Sequence, residues 1–143
     1  MYLYFHNDRM DGMRTLWIAL FLGWIGVGVS AQDFYQQEIT DDIFARIEGK
    51  SFKANCTTSR KDLRYLRVLH YNKDREVLEG ELICHKDIAD DLLVIFQELY
   101  KAAYPIERMV LIDEYDADDE ASMRANNTSA FNFRYASGMN RLS

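Results

Sequence analysis

The sequence predicts a domain of the α+β class, in which a small and mostly antiparallel sheet packs against helices. Two strand-like segments, residues 64–71 and 77–84, flank the turn-forming residues 72–75, and this arrangement is typical of a β-hairpin. An amphipathic helix follows at residues 87–104. The later segments predict the order strand, helix, strand, without the regular alternation of a parallel α/β fold, so the α+β class is favoured.

Residues 1–31 have the pattern of a secretory signal peptide. Residues 16–29 form an apolar run of 14 residues that follows a basic residue and ends next to a small-residue cleavage site at Ala31. A membrane-spanning helix needs about 20 apolar residues, so a permanent anchor is the weaker alternative. Met13 is the better-placed start, which makes residues 1–12 a spurious extension. We therefore expect an exported protein, periplasmic or extracellular, with no membrane anchor after cleavage.

The charge of the chain argues against two classes of partner. The formal net charge is −6, and the residues after Ala31 keep this value because the first 31 residues carry two basic and two acidic side chains. An acidic surface is a poor match for nucleic acid, whose phosphates attract Lys and Arg. No basic amphipathic stretch suggests binding to a membrane surface. We expect no nucleic acid partner.

Residues 32–60, between the signal peptide and the hairpin, form a weakly patterned N-terminal segment. Its apolar residues recur at helical spacing, so we expect a short helix over residues 41–48 that ends at Gly49. In the hairpin that follows, Gly80 lies inside the second strand, where a glycine often marks a β-bulge.

The second half of the chain begins with the long predicted helix, which Pro105 ends. Residues 109–112 are continuously apolar, which predicts a short buried strand. Residues 118–125 predict a short helix with Asp118 as its N-cap. Residues 131–135 alternate between apolar and polar side chains, which predicts a further strand. The apolar face of the long helix is expected to comprise Ile88, Leu92, Ile95, Phe96, Leu99 and Ala103.

The two cysteines, Cys56 and Cys84, have two possible interpretations. They are an even pair, and export would take them to an oxidising compartment, so a disulfide between them is one expectation. The alternative is a pair of buried thiols.

The candidate metal ligands form no recognisable pattern. Only His70 and His85 follow the signal peptide, and the chain has no His-Glu-x-x-His motif and no pair of Cys-x-x-Cys motifs. Cys84 and His85 are neighbours in sequence, so on a strand they would point to opposite faces. The Ser and Thr residues have no patterned His or Asp partner that would activate a nucleophile. The sequence predicts no metal site and no catalytic residue within this chain.

Residues 113–120 form an acidic run that resembles a calcium-binding loop in composition. It lacks the glycine that lets an EF-hand loop turn, so the run is better explained as a solvated loop followed by a helix start. A functional interpretation stays open for Asp113 and Glu114, because they directly follow a predicted buried strand.

The segment 126–134 is the strongest candidate for a binding site. It begins with short polar side chains, including Asn127 and Ser129, that suit fixed hydrogen bonds. If the following residues form a strand, Asn132 and Arg134 project from one face, and the Arg134 guanidinium can hold a carboxylate through two parallel hydrogen bonds. The alternative is a capped turn followed by an amphipathic edge strand without a binding role.

Several short blocks of this chain occur together and in order in one known family. They lie at residues 67–71, 80–84, 88–92, 104–106, 111–115, 118–119, 122–123 and 126–134. As a set they resemble the bacterial D-alanyl-D-alanine carboxypeptidase-like zinc peptidases, which share a fold with the D,D-dipeptidases and the hedgehog signalling domain. The resemblance covers residues 61–143 and implies the N-terminal part of such a domain.

The resemblance implies zinc-dependent hydrolysis of peptide bonds, with the peptidoglycan stem peptide as substrate. In the family, zinc is held by a His and an Asp within the motif Ser-x-His-x-x-Gly-x-Ala-x-Asp and by a later His, and a Glu near that His is the general base. Ser143 matches the Ser that opens this motif. The ligands and the base would then lie beyond Ser143, the fold would be incomplete at its C-terminus, and this fragment would bind no zinc and be inactive alone.

The residues expected to bind substrate are therefore Arg134, Ser143, Asn127 and Ser129, with Arg134 as the holder of a substrate carboxylate. An alternative function is a non-catalytic exported module that binds the cell wall or a partner protein and keeps only the substrate-positioning half. A secreted α+β domain of another role is the third alternative.

Overall fold

The computed structural model describes residues 33–134, so the expected signal peptide and Ser143 lie outside the described residues. This part of the chain has the α+β class that the sequence predicts, with a three-stranded antiparallel sheet and helices. Its elements in order are β1 (Tyr35–Glu38), α1 (Asp41–Ile47), β2 (Leu63–Tyr71), β3 (Val77–His85), α2 (Ala89–Lys101) and α3 (Asp119–Arg124). Single 3-10 turns lie at Arg60–Asp62, Lys86–Ile88 and Ile112–Tyr115.

The predicted hairpin forms two of the three strands of the sheet, with β2 at its centre. β2 and β3 pair antiparallel from Leu63 opposite His85 to Tyr71 opposite Val77. β1, which the sequence did not reveal, pairs with the other edge of β2 and gives the strand order β1-β2-β3. The residues before the hairpin are therefore built into the same sheet.

The sheet is covered on both faces. Side chains of a strand alternate between its two faces, so Leu66 and Val68 of β2 pack under α2, while Leu63 and Tyr65 pack on the opposite side with α1. The α2 side of the core consists of Phe34, Leu66, Val68, Leu82, Cys84, Ala89, Phe96, Tyr100 and Met109. The α1 side consists of Ile39, Ile43, Ile47, Leu63, Tyr65, Ile83 and Leu111.

Gly80 is required by close packing and not by a bulge, which corrects the prediction for this residue. The register of β2 and β3 continues without interruption, with Gly80 directly opposite Val68. A Cβ atom on Gly80 would lie 2.8 Å from Met109 Sδ and 3.0 Å from His70 Cδ2. The absence of a side chain lets the segment around Met109 approach β3 closely here.

The helices agree with the sequence in position but not in every boundary. α1 lies where it was predicted, and its N-cap Thr40 accepts a hydrogen bond from the Ile43 amide. The long helix begins later than predicted, because residues 86–88 form a 3-10 turn before it. Its apolar stripe is wider than the face that the sheet covers, so Ile88 and Ile95 are half-exposed. No helix within residues 33–134 is long and apolar enough to span a membrane.

Two predicted strands are not strands in the structure. Met109 and Leu111 are buried and Val110 is half-buried, but after one hydrogen bond from the Glu81 amide to the Met109 carbonyl the chain turns into the 3-10 segment Ile112–Tyr115. The ladder therefore cannot continue along β3. Residues 131–134 have no regular secondary structure, and Tyr135 lies outside the described residues. Asp118 does cap the predicted short helix, which is α3.

Candidate functional site

An open cleft of about 720 Å³ lies between α3 and the segment that follows it. Three of the four expected substrate-binding residues, Asn127, Ser129 and Arg134, line this cleft, and the fourth, Ser143, is outside the described residues. Its full lining is Ala117, Asp118, Asp119, Glu120, Ser122, Met123, Asn127, Thr128, Ser129 and Arg134. We call it the α3 cleft.

Asn127 holds the wall of the cleft together. Its side-chain oxygen accepts a hydrogen bond from the Val110 amide at 2.9 Å, and its Nδ2 donates to the Val110 carbonyl at 3.0 Å and to Ser122 Oγ at 3.1 Å. These bonds use both the acceptor and the donors of the amide. Asn127 therefore fixes the segment after α3 to the segment beside β3, and its role as a substrate ligand is not favoured.

Arg134 and Asn132 lie side by side on one carboxylate, that of Asp119. Arg134 Nε lies 2.5 Å from Asp119 Oδ2, and Asn132 Nδ2 donates to Asp119 Oδ1 at 3.0 Å. Asn132 also donates to the Ala117 carbonyl at 3.2 Å, which fixes the orientation of its amide. The predicted pairing of Asn132 with Arg134 on one face is thus present although the segment is not a strand.

The local backbone explains how Asp119 reaches these two donors. Asp116 and Ala117 have left-handed φ angles of 53° and 58°, and they turn the chain out of the preceding 3-10 segment. Asp118 then caps α3 by accepting hydrogen bonds from the amides of Glu120 and Ala121. Because Asp118 supplies the cap, the side chain of Asp119 is left to meet Asn132 and Arg134.

Apolar anchors hold the opposite side of the 131–134 segment. Phe133 is buried, and its amide donates to the Ser51 carbonyl at 3.0 Å. Phe131 lies near Phe52, with the ring centroids 6.4 Å apart. Because these contacts hold Phe131 and Phe133 on one side of the segment, the side chains of Asn132 and Arg134 point to the other side, towards α3.

Asp113 and Glu114, the open candidates of the acidic run, have structural partners away from the α3 cleft. Asp113 is buried and accepts hydrogen bonds from the Ser51 amide and hydroxyl, each at 2.9 Å. Glu114 pairs with Arg46 at 3.1 Å. The rest of the run follows the predicted loop and helix start.

Another carboxylate–arginine group joins α1 to the sheet. Glu81 of β3 accepts hydrogen bonds from Arg46 at 2.5 and 2.9 Å and from the Tyr65 hydroxyl at 2.8 Å. Burial raises the pKa of the Glu81 carboxyl, but the hydrogen bonds from Arg46 and Tyr65 outweigh it and hold the pKa below its ordinary value. Desolvation raises the pKa of the Tyr65 hydroxyl.

Within the described residues, the two histidines hydrogen-bond to backbone groups and the two cysteines are free thiols. The Nδ1–H of His70 donates to the Ile106 carbonyl at 2.7 Å, and His85 Nδ1 accepts from the Asp87 amide. Cys56 and Cys84 are both free, which corrects the disulfide alternative. Cys84 is buried, and burial raises the pKa of its thiol to about 11, whereas Cys56 is half-buried.

These residues do not form a donor set for zinc. Within residues 33–134, no three His, Cys, Asp or Glu side chains are grouped so that they could hold a metal ion. The α3 cleft contains the Arg134 guanidinium and the exposed Ser129 hydroxyl, which can bind a carboxylate and a neighbouring polar group, beside the carboxylates of Asp118, Asp119 and Glu120. Searches with this chain against protein-family models, curated proteins and solved structures found no match.

Proposed function

We propose that residues 33–134 form the substrate-binding side of an exported zinc peptidase of the D-alanyl-D-alanine carboxypeptidase type, with the hedgehog/D,D-peptidase fold. The substrate class is the peptidoglycan stem peptide. The observation that supports this most is the position of Arg134 in the α3 cleft, at the end of the segment 126–134 that carries the family resemblance.

The described residues act in this proposal by binding and orienting the peptide. The free carboxylate at the C-terminus of the stem peptide pairs with the Arg134 guanidinium, whose planar donors match the two oxygens. The exposed Ser129 hydroxyl lies on the same wall and can hydrogen-bond the adjacent peptide group. Asn127 keeps this wall attached to the sheet.

The proposal does not assign the metal chemistry to residues 33–134, in which no three His, Cys, Asp or Glu side chains are grouped to hold a metal ion. In the proposal, the zinc ligands and the general base belong to the family motif that Ser143 opens. The coding sequence after Ser143 tests this directly, because the proposal requires the pattern His-x-x-Gly-x-Ala-x-Asp there.

Binding of N-acetyl-D-alanyl-D-alanine to the exported chain tests the substrate-binding role. We expect saturable binding in calorimetry or amide NMR titration, no binding of the C-terminal amide of the same dipeptide, and a loss of about tenfold or more in affinity for Arg134→Gln. Arg124→Gln is the matched control, because it removes the same charge from an exposed position on α3 outside the cleft lining. Equal affinity in Arg134→Gln and the control contradicts the proposed role.

A non-catalytic cell-wall-binding module would give the same binding result. The two functions separate on hydrolysis, measured as zinc-dependent release of D-alanine from a muramyl pentapeptide. The proposal predicts release by a protein that contains the family motif and none by the 143-residue chain. Release by the 143-residue chain itself would contradict the assignment of the metal site.

A further inference from the structure

We propose that Asn132 and Arg134 together form a two-donor carboxylate receptor, and that Asp119 is its intramolecular occupant, which a ligand carboxylate replaces. This inference rests on the proposed role of Arg134 in binding a substrate carboxylate. It adds Asn132 as a binding residue and Asp119 as a competitor.

The geometry of the three side chains supports the receptor. The two oxygens of Asp119 are shared between different donors, Oδ1 with Asn132 Nδ2 at 3.0 Å and Oδ2 with Arg134 Nε at 2.5 Å. A free carboxylate placed between the same two donors would make the same two bonds. Asp119 therefore shows how the receptor accepts a carboxylate, with one neutral and one charged donor.

Asn132 is held with its donors towards this position. Its Nδ2 also donates to the Ala117 carbonyl at 3.2 Å, whereas its Oδ1 is buried and has no hydrogen-bond partner within residues 33–134. A buried acceptor without a partner is unfavourable, so this orientation must be maintained by the two bonds that Nδ2 makes. The amide is set to donate, which is what a carboxylate needs.

Asp119 is placed so that exchange can occur. Its side chain is 31% exposed and that of Arg134 is 42% exposed, and both line the α3 cleft. Ion pairs between such partly exposed groups contribute little to stability. The start of α3 does not depend on the Asp119 side chain, because Asp118 supplies the cap. A ligand carboxylate can therefore displace Asp119 without unfolding the helix.

The competing explanation is that Asp119 positions Arg134 for the ligand. The two explanations predict opposite effects of removing the carboxylate. If Asp119 competes, its removal strengthens binding. If it positions Arg134, its removal weakens binding.

The test compares the affinity of the exported chain and its variants for N-acetyl-D-alanyl-D-alanine, followed by amide NMR. Asp119→Ala is expected to bind about three- to tenfold more tightly than the wild type, and Asn132→Ala about tenfold more weakly. Glu120→Ala is the matched control, since it removes one negative charge from the next residue of the same helix and cleft. Asp119→Asn provides a second, isosteric variant, and the NMR spectra report whether each variant is folded.

The outcomes separate this inference from the proposed function. Tighter binding by the Asp119 variants than by Glu120→Ala, together with weaker binding by Asn132→Ala, supports the receptor, even if binding by the wild type is too weak to measure. Binding that depends on Arg134 but is unchanged or weakened in the Asp119 variants overturns the inference and leaves the proposed function intact. Absence of binding in the wild type and in both Asp119 variants overturns both.

Discussion

Two of the arginine–carboxylate pairs among the described residues differ in what surrounds them. Arg46 of α1 pairs with Glu81 of β3, where Tyr65 and Glu114 complete the hydrogen bonding and the Glu81 side chain is only 16% exposed. Arg134 and Asp119 lie in the α3 cleft, where both partners remain partly exposed. The same chemistry therefore joins α1 to the sheet in one place and leaves the proposed binding group accessible in the other.

The largest difference between the two pairs should appear in stability. Glu81→Ala removes the acceptor of the Tyr65 hydroxyl and leaves the Arg46 guanidinium with Glu114 alone, and we expect the free energy of unfolding to fall by about 2 kcal/mol. Asp119→Ala should change it by less than about 1 kcal/mol, because partly exposed ion pairs contribute little. Urea unfolding of both variants measures the difference, and equal losses would show that the cleft pair is also a structural pair.

Two asparagines in the cleft wall offer a similar but smaller contrast. Asn127→Ala removes the two side-chain hydrogen bonds that join Val110 to the segment after α3, and a loss of about 1–2 kcal/mol is expected. Asn132→Ala should cost less, because it removes two bonds but also removes the unpartnered buried oxygen. Thermal unfolding distinguishes them, and a larger loss for Asn132 would argue that this residue is structural.

The pH dependence of the free energy of unfolding should reveal the contribution of the Arg46–Glu81 pair. The folded-state pKa of Glu81 lies below its ordinary value of 4.5, so the folded state favours the ionised carboxylate. The stabilisation is complete above about pH 4.5 and is lost as the pH falls through the lower pKa of the folded state. Glu81→Gln should therefore reduce the acid sensitivity of unfolding relative to the wild type. An identical acid profile for Glu81→Gln and the wild type would exclude this role for Glu81.

The sequence predicted the parts of the fold that depend on local pattern. The hairpin, α1, α3 and most of α2 followed from turn residues, caps and helical spacing. The two absent strands failed because a strand needs a partner, and the 3-10 segment Ile112–Tyr115 turns the chain away from β3 after one hydrogen bond. β1 was missed because its polar sequence Tyr35–Glu38 shows no strand pattern, and pairing with β2 alone defines it.

The candidate site was likewise predicted only where it depends on local sequence pattern. The alternation in residues 131–134 correctly placed Asn132 and Arg134 together, since that relation is local. Their joint partner Asp119 is 13 residues from Asn132, within an acidic run whose members look alike in sequence. Ser51 was not recognised as the partner of Asp113 because 62 residues separate them. Such contacts depend on how the chain packs, which local patterns do not encode.

The affinity of the exported chain for N-acetyl-D-alanyl-D-alanine, measured for Arg134→Gln and Arg46→Gln in parallel, tests the central claim most directly. Both variants lose one guanidinium that pairs with a carboxylate, but only Arg134 lines the α3 cleft. The account predicts a loss of about tenfold or more for Arg134→Gln and a change of less than about twofold for Arg46→Gln. Equal affinities of the two variants, or a greater loss for Arg46→Gln in a folded protein, would contradict it.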